Sequence, residues 1–105
     1  MLDIGSQLPR EFQLRVTRGP SAGVTVRSTG TQLSVGRAPE NDLVLNDLLI
    51  SGHHLIVQWN EGSYWVRFAG ALNGLFSGGR APQPSVLRDG SELMLGATTM
   101  RFELL

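Results

Sequence analysis

No cysteine occurs in the 105 residues. Disulfides, thiolate metal sites and cysteine nucleophiles are therefore excluded together. Nine basic side chains balance nine acidic ones, so the chain lacks the broad basic face that nucleic acid or an anionic membrane demands. A small local basic pocket remains compatible with that balance. Apolar runs are short, far below the roughly 18 residues of a membrane helix. The opening segment MLDIGSQLPREF has neither the basic nor the apolar region of a signal peptide. The chain accordingly reads as a soluble, cytoplasmic domain with no direct membrane insertion and no nucleic-acid partner. No window carries the period of a long amphipathic helix, and no internal repeat, low-complexity tract or linker interrupts the sequence.

About 41% of the residues are hydrophobic, enough for one core without a stabilising metal. These residues alternate. Phe12, Leu14 and Val16 alternate with polar neighbours, as do Leu33 and Val35; Leu55, Val57 and Trp59; Tyr64, Val66 and Phe68; and Met100, Phe102 and Leu104. Val24 and Val26, and Leu93 and Leu95, extend the pattern. Period two marks strands with one face inward. Turn residues fall between the runs at Gly19-Pro20, Asn60-Glu61-Gly62 and Asp89-Gly90, and the second of these reads as a tight hairpin with Trp59 and Tyr64 paired across it. Residues 77–88, rich in Gly and Pro, read as a loop crossing. Many short strands at this spacing predict an all-β fold, a β-sandwich. Residues 1–10 read as a loose leader and 11–105 as the domain.

Chemistry-bearing residues gather in a few places. Gly36-Arg37 ends a predicted strand, Asn41-Asp42-Leu43-Val44-Leu45 follows, then Ser51-Gly52-His53-His54, and later Asn73-Gly74. An arginine fork and a serine hydroxyl on loop mouths suit a phosphate, which accepts charge-assisted hydrogen bonds. They do not suit bond breaking. There is no Gly-x-Ser-x-Gly elbow, and adjacent histidines without a third ligand do not present a metal. The residues predict a binding module without cofactor or metal, not an enzyme.

These motifs, with Leu87-x-Asp89-Gly90 and Leu95-Gly96, resemble the forkhead-associated (FHA) domain over nearly the whole chain, residues 12–104. The resemblance implies a sandwich of about eleven strands, with binding loops at one end, and a phosphothreonine-containing protein or peptide as partner. It implies that Arg37 and Ser51 donate to the phosphate and Asn73 to the peptide backbone, with Gly52 and Leu72 at the same surface. Gly36, His54 and Gly74 would brace the loops. The sequence also departs from the family. Gly52 stands where phosphopeptide readers often carry arginine or another polar residue, Leu72 where they carry Thr or Ser, Leu75 where they carry Thr, and Ser91 where they carry Asp. Those losses fit a second expectation: an FHA-like assembly domain of a bacterial secretion apparatus, binding its subunits without phosphate.

Overall fold

A computed structural model of the chain describes residues 10–28, 31–68 and 85–105. They hold nine strands: β1 (Phe12–Arg18), β2 (Thr25–Ser28), β3 (Gln32–Gly36), β4 (Leu43–Val44), β5 (Leu55–Asn60), β6 (Ser63–Phe68), β7 (Ser85–Leu87), β8 (Glu92–Leu95) and β9 (Thr98–Leu104). One sheet has the order β2-β1-β9-β8 and the other β4-β3-β5-β6-β7. Pairing is antiparallel except between β3 and β4.

Alternation decides which face each strand buries. Phe12, Leu14 and Val16 point inward from β1, and Met100 and Phe102 from β9. Leu33 and Val35 oppose them from β3, with Leu55 and Val57 from β5 and Tyr64 and Val66 from β6. Phe12, Tyr64 and Phe102 form an aromatic triangle with ring centroids 4.8, 5.1 and 5.6 Å apart. Such tilted geometries add favourable quadrupole contact to simple burial. The Tyr64 hydroxyl donates to the Arg10 carbonyl at 2.6 Å, so its polar end is satisfied inside the core.

The hairpin between β5 and β6 has Asn60 opposite Ser63 and Trp59 opposite Tyr64. Glu61 and Gly62 both take positive φ, 50° and 83°, as a primed two-residue turn requires. One sequence expectation needs correction. Ser85–Leu87 is not loop but strand β7, paired with Tyr64–Val66 of β6; three residues are too few for a period to show. Of the predicted leader, residues 1–9 lie outside the described residues, as do those around Asn73, while Arg10 is tied to the domain through Tyr64 and the Leu105 carbonyl.

Removing a member of the aromatic triangle leaves a cavity that the rigid sheets cannot close. Phe102→Ala is expected to lower the unfolding free energy by about 3–5 kcal/mol, read as a fall in the urea midpoint with an unchanged slope.

Candidate functional site

Strand direction gathers the loops. β3 runs toward Gly36, β5 starts at Leu55, and β8 and β9 meet at Gly96-Ala97. The loop that follows β3, the loop that precedes β5 and the β8–β9 turn share one end of the sandwich. The Asn60–Ser63 hairpin lies at the other end, beside a cleft of about 360 Å³ lined by Trp59, Tyr64, Arg88 and Asp89 among others. That cleft is remote from Arg37 and Ser51.

Two loops are stitched together at that end, chiefly through main chain. The Arg37 amide donates to the Ser51 carbonyl at 3.1 Å and the Ala38 amide to the Gly52 carbonyl at 3.0 Å. Leu45 donates to the Gly36 carbonyl and His54 to the Val35 carbonyl, both at 2.9 Å. Asn41, buried to 7% exposure, spans the seam. Its Nδ2 donates to the carbonyls of Ala38 and Gly52 at 2.8 and 2.6 Å. The sequence marks Asn41 only as part of a motif; its bridging depends on Gly52, eleven positions away.

Glycine at 36 is a steric necessity. A Cβ placed there would lie 2.1 Å from the Gly52 carbonyl oxygen, inside any contact distance. Gly52 is different: among the described residues a Cβ there would meet only the Ala38 Cβ, at 3.7 Å. The backbone has room for a side chain beside Ser51, and this sequence places none there.

A second lock joins the two sheets. Asp47 is 2% exposed. Its Oδ1 accepts the Leu49 amide at 2.9 Å, and its Oδ2 accepts the Ala97 amide at 2.7 Å and the Thr98 hydroxyl at 2.8 Å. The Ser21 hydroxyl accepts the Asn46 amide at 3.1 Å, so the β1–β2 loop joins the same assembly. Sequence reading did not single out Asp47, since its partners lie some fifty positions downstream; its carboxylate just ahead of the Ser51 loop was the available signal. The Leu49 amide bond foremost, opposed by burial and aided by Thr98, Ala97 and nearby His54, holds the Asp47 pKa below the usual carboxylate value.

His54 serves the loop as an acceptor. Its Nδ1 takes the Ser51 amide proton at 3.1 Å, which requires the neutral ring with its proton on Nε2. The ring stands edge-on to Phe68, centroids 6.3 Å apart. Burial pushes the His54 pKa down, with Asp47 opposing. The site residues Arg37, Ser51, Gly52, His54 and Gly36 thus converge. Arg37 is exposed, and among the described residues its guanidinium has no hydrogen-bond or ion-pair partner. Leu72, Asn73 and Gly74 lie outside the described residues. Among the described residues no cluster of His, Asp and Glu suited to a metal exists, and no helix is long and apolar enough to cross a membrane.

Two outcomes follow from this frame. Gly36→Ala forces the Gly52 carbonyl away and is expected to cost about 1–3 kcal/mol as overpacking, measured by chemical denaturation. The folded state resists protonating His54, so the unfolded chain binds the extra proton first. Stability is therefore complete above about pH 6.5 and declines as the pH falls from there to the folded pKa. Asp47 acts lower, its contribution being lost as the pH falls below the unfolded carboxylate value through the depressed folded one. In pH-dependent denaturation, His54→Gln removes the upper decline and leaves the acid one.

Comparison with known proteins places this frame among relatives. The family described as inner membrane component of T3SS, cytoplasmic domain, matches residues 15–104. The oxoglutarate dehydrogenase inhibitor of Corynebacterium efficiens is 34% identical over 89 residues, 85% of this chain and 63% of that protein; the chain thus spans less than two thirds of that relative. The FHA domain of the CT664 protein from Chlamydia trachomatis superposes with a TM-score of 0.71 at 27% identity, covering 89% of this chain and 96% of the other. A structure solved in a study of phosphothreonine-dependent FHA domain interactions shares the fold, with a TM-score of 0.69 at 20% identity over 89% of this chain and 95% of the other. The chain belongs to the family of T3SS inner-membrane-component cytoplasmic domains, and it is a forkhead-associated domain.

Proposed function

We propose that this domain is a phosphothreonine-dependent protein-binding module of the cytoplasm, and not an enzyme. One observation carries the reading: an exposed arginine without a partner among the described residues, fixed to the same main-chain seam as Ser51. A phosphothreonine brings close to two negative charges and three acceptor oxygens. Arg37 supplies a permanent charge and a planar donor fork, and the Ser51 hydroxyl a second donor. Asn73 would add contacts to the peptide backbone. Each hydrogen bond to a charged group contributes about 1.5–3 kcal/mol, while micromolar affinity needs about 8 kcal/mol. The phosphate is therefore the switch, and the extended chain around it supplies the remaining affinity. A domain of the same fold is known from phosphothreonine-dependent interactions, and a relative inhibits a metabolic enzyme. Both fit a regulator that docks on a phosphorylated protein.

A second reading has its own support. The matching family is described through a secretion-system membrane component, and Gly52 offers no side chain where the backbone has room for one. On that reading the domain holds assembly subunits together without phosphate.

Calorimetric titration with a degenerate phosphothreonine library beside its unphosphorylated twin separates the two. Binding is expected only for the phosphorylated library, with Arg37→Ala weakening it about 100-fold and Ser51→Ala about tenfold. Equal binding of both libraries, or of neither, sinks the phosphate reading.

A further inference from the structure

The loop between β4 and β5 carries two large apolar residues that the fold keeps in solvent. Leu48 is 82% exposed and Leu49 73%. They are the central pair of a turn whose flanks are buried, Asp47 at 2% and Ile50 at 3%. The Ile50 amide donates to the Asp47 carbonyl at 3.2 Å, and the Asp47 carboxylate is bonded across to Ala97 and Thr98. With both flanks fixed, the leucines have no route inward. A Cβ built on Gly96 would lie 3.0 Å from the Leu49 Cβ, so the base of Leu49 sits against the β8–β9 turn. Ile50 alone separates the pair from Ser51.

Two large exposed apolar residues side by side on a fixed turn offer a small apolar contact patch, next along the chain to Ser51. Charge argues for the same occupant. From Ala38 to His54 the chain has no arginine or lysine, and it has Glu40, Asp42 and Asp47. Glu40 and Asp42 are exposed, and Gly52 adds no cation beside Ser51. An acidic segment next to the phosphothreonine would meet carboxylates here, and an apolar segment would meet leucine.

We propose that Leu48 and Leu49 are specificity-determining residues that contact apolar side chains flanking the phosphothreonine of the partner. This domain then selects apolar over acidic flanks. The inference rests on the phosphothreonine reading and adds to it the class of partner sequence.

The test uses two phosphothreonine peptide libraries, one with Leu, Ile, Val and Met flanking the phosphothreonine and one with Asp and Glu. Wild type, Leu48→Ser/Leu49→Ser and Arg37→Ala are titrated with each, and with unphosphorylated versions. Both leucines are exposed, so the double variant is expected to keep the wild-type melting temperature. Wild type is expected to bind the apolar set at least tenfold tighter than the acidic set, and the double variant to lose that preference through weaker binding of the apolar set. Equal affinity of wild type for both phosphorylated sets, or a preference that survives in the double variant, overturns the inference while leaving phosphate dependence intact. Failure of wild type to distinguish phosphorylated from unphosphorylated peptides overturns the underlying reading, and the inference with it. Self-association of wild type that the double variant abolishes, without peptide preference, assigns the leucines to a second copy of the chain and also overturns it.

Discussion

The recognition end depends on one buried carboxylate. Asp47 belongs to a loop of one sheet and bonds to the hairpin of the other. Without it, the directional contact described between the sheets at that end is the Asn46 amide on the Ser21 hydroxyl, and apolar contact alone has no direction. Three donors aimed at one carboxylate define the distance between the serine loop and the β8–β9 turn. They also account for its ionised state, because a carboxylate that accepts several hydrogen bonds holds its charge. Removing the acceptor would strand the buried Thr98 hydroxyl and take the partner from the Leu49 and Ala97 amides, so the cost of losing it exceeds the gain from having it.

Around that anchor, specificity of shape comes from close main-chain approach. Gly36 lets the Gly52 carbonyl come within reach of Ala38 and Asn41, and Asn41 closes the seam from the side. His54 completes it by accepting from Ser51. The side chains that would meet a ligand, Arg37 and Ser51, take no part in these bonds through their functional groups. Support and recognition are thus assigned to different atoms of the same short segments.

The sandwich was readable because its strands alternate and its core residues are apolar on one side only. Phe12, Val35, Val57 and Phe102 all fall on the buried face that period two assigns them. β7 was not readable: Ser85–Leu87 is three residues long, and it is a strand because β6 offers an edge. Gly36, Arg37, Ser51 and His54 were legible as motif residues. Asp47 and Asn41 were not legible as locks, since the partners that make them bridges, Ala97 and Thr98 for one and Gly52 for the other, are set by tertiary approach. The described residues hold nine strands against about eleven implied by family resemblance, and the stretch that carries Asn73 lies outside them.

The hydrogen-bonded seam also bears on time. The Arg37 and Ser51 loops are ordered when the chain folds, so these two loops add little reorganisation to an encounter. Association through them is then not gated by loop rearrangement, and its rate is set by collision and orientation. Differences among ligands fall instead on how long each one stays. On the proposed phosphothreonine reading, a module built this way would answer promptly to a change in phosphorylation and rank its partners by residence time.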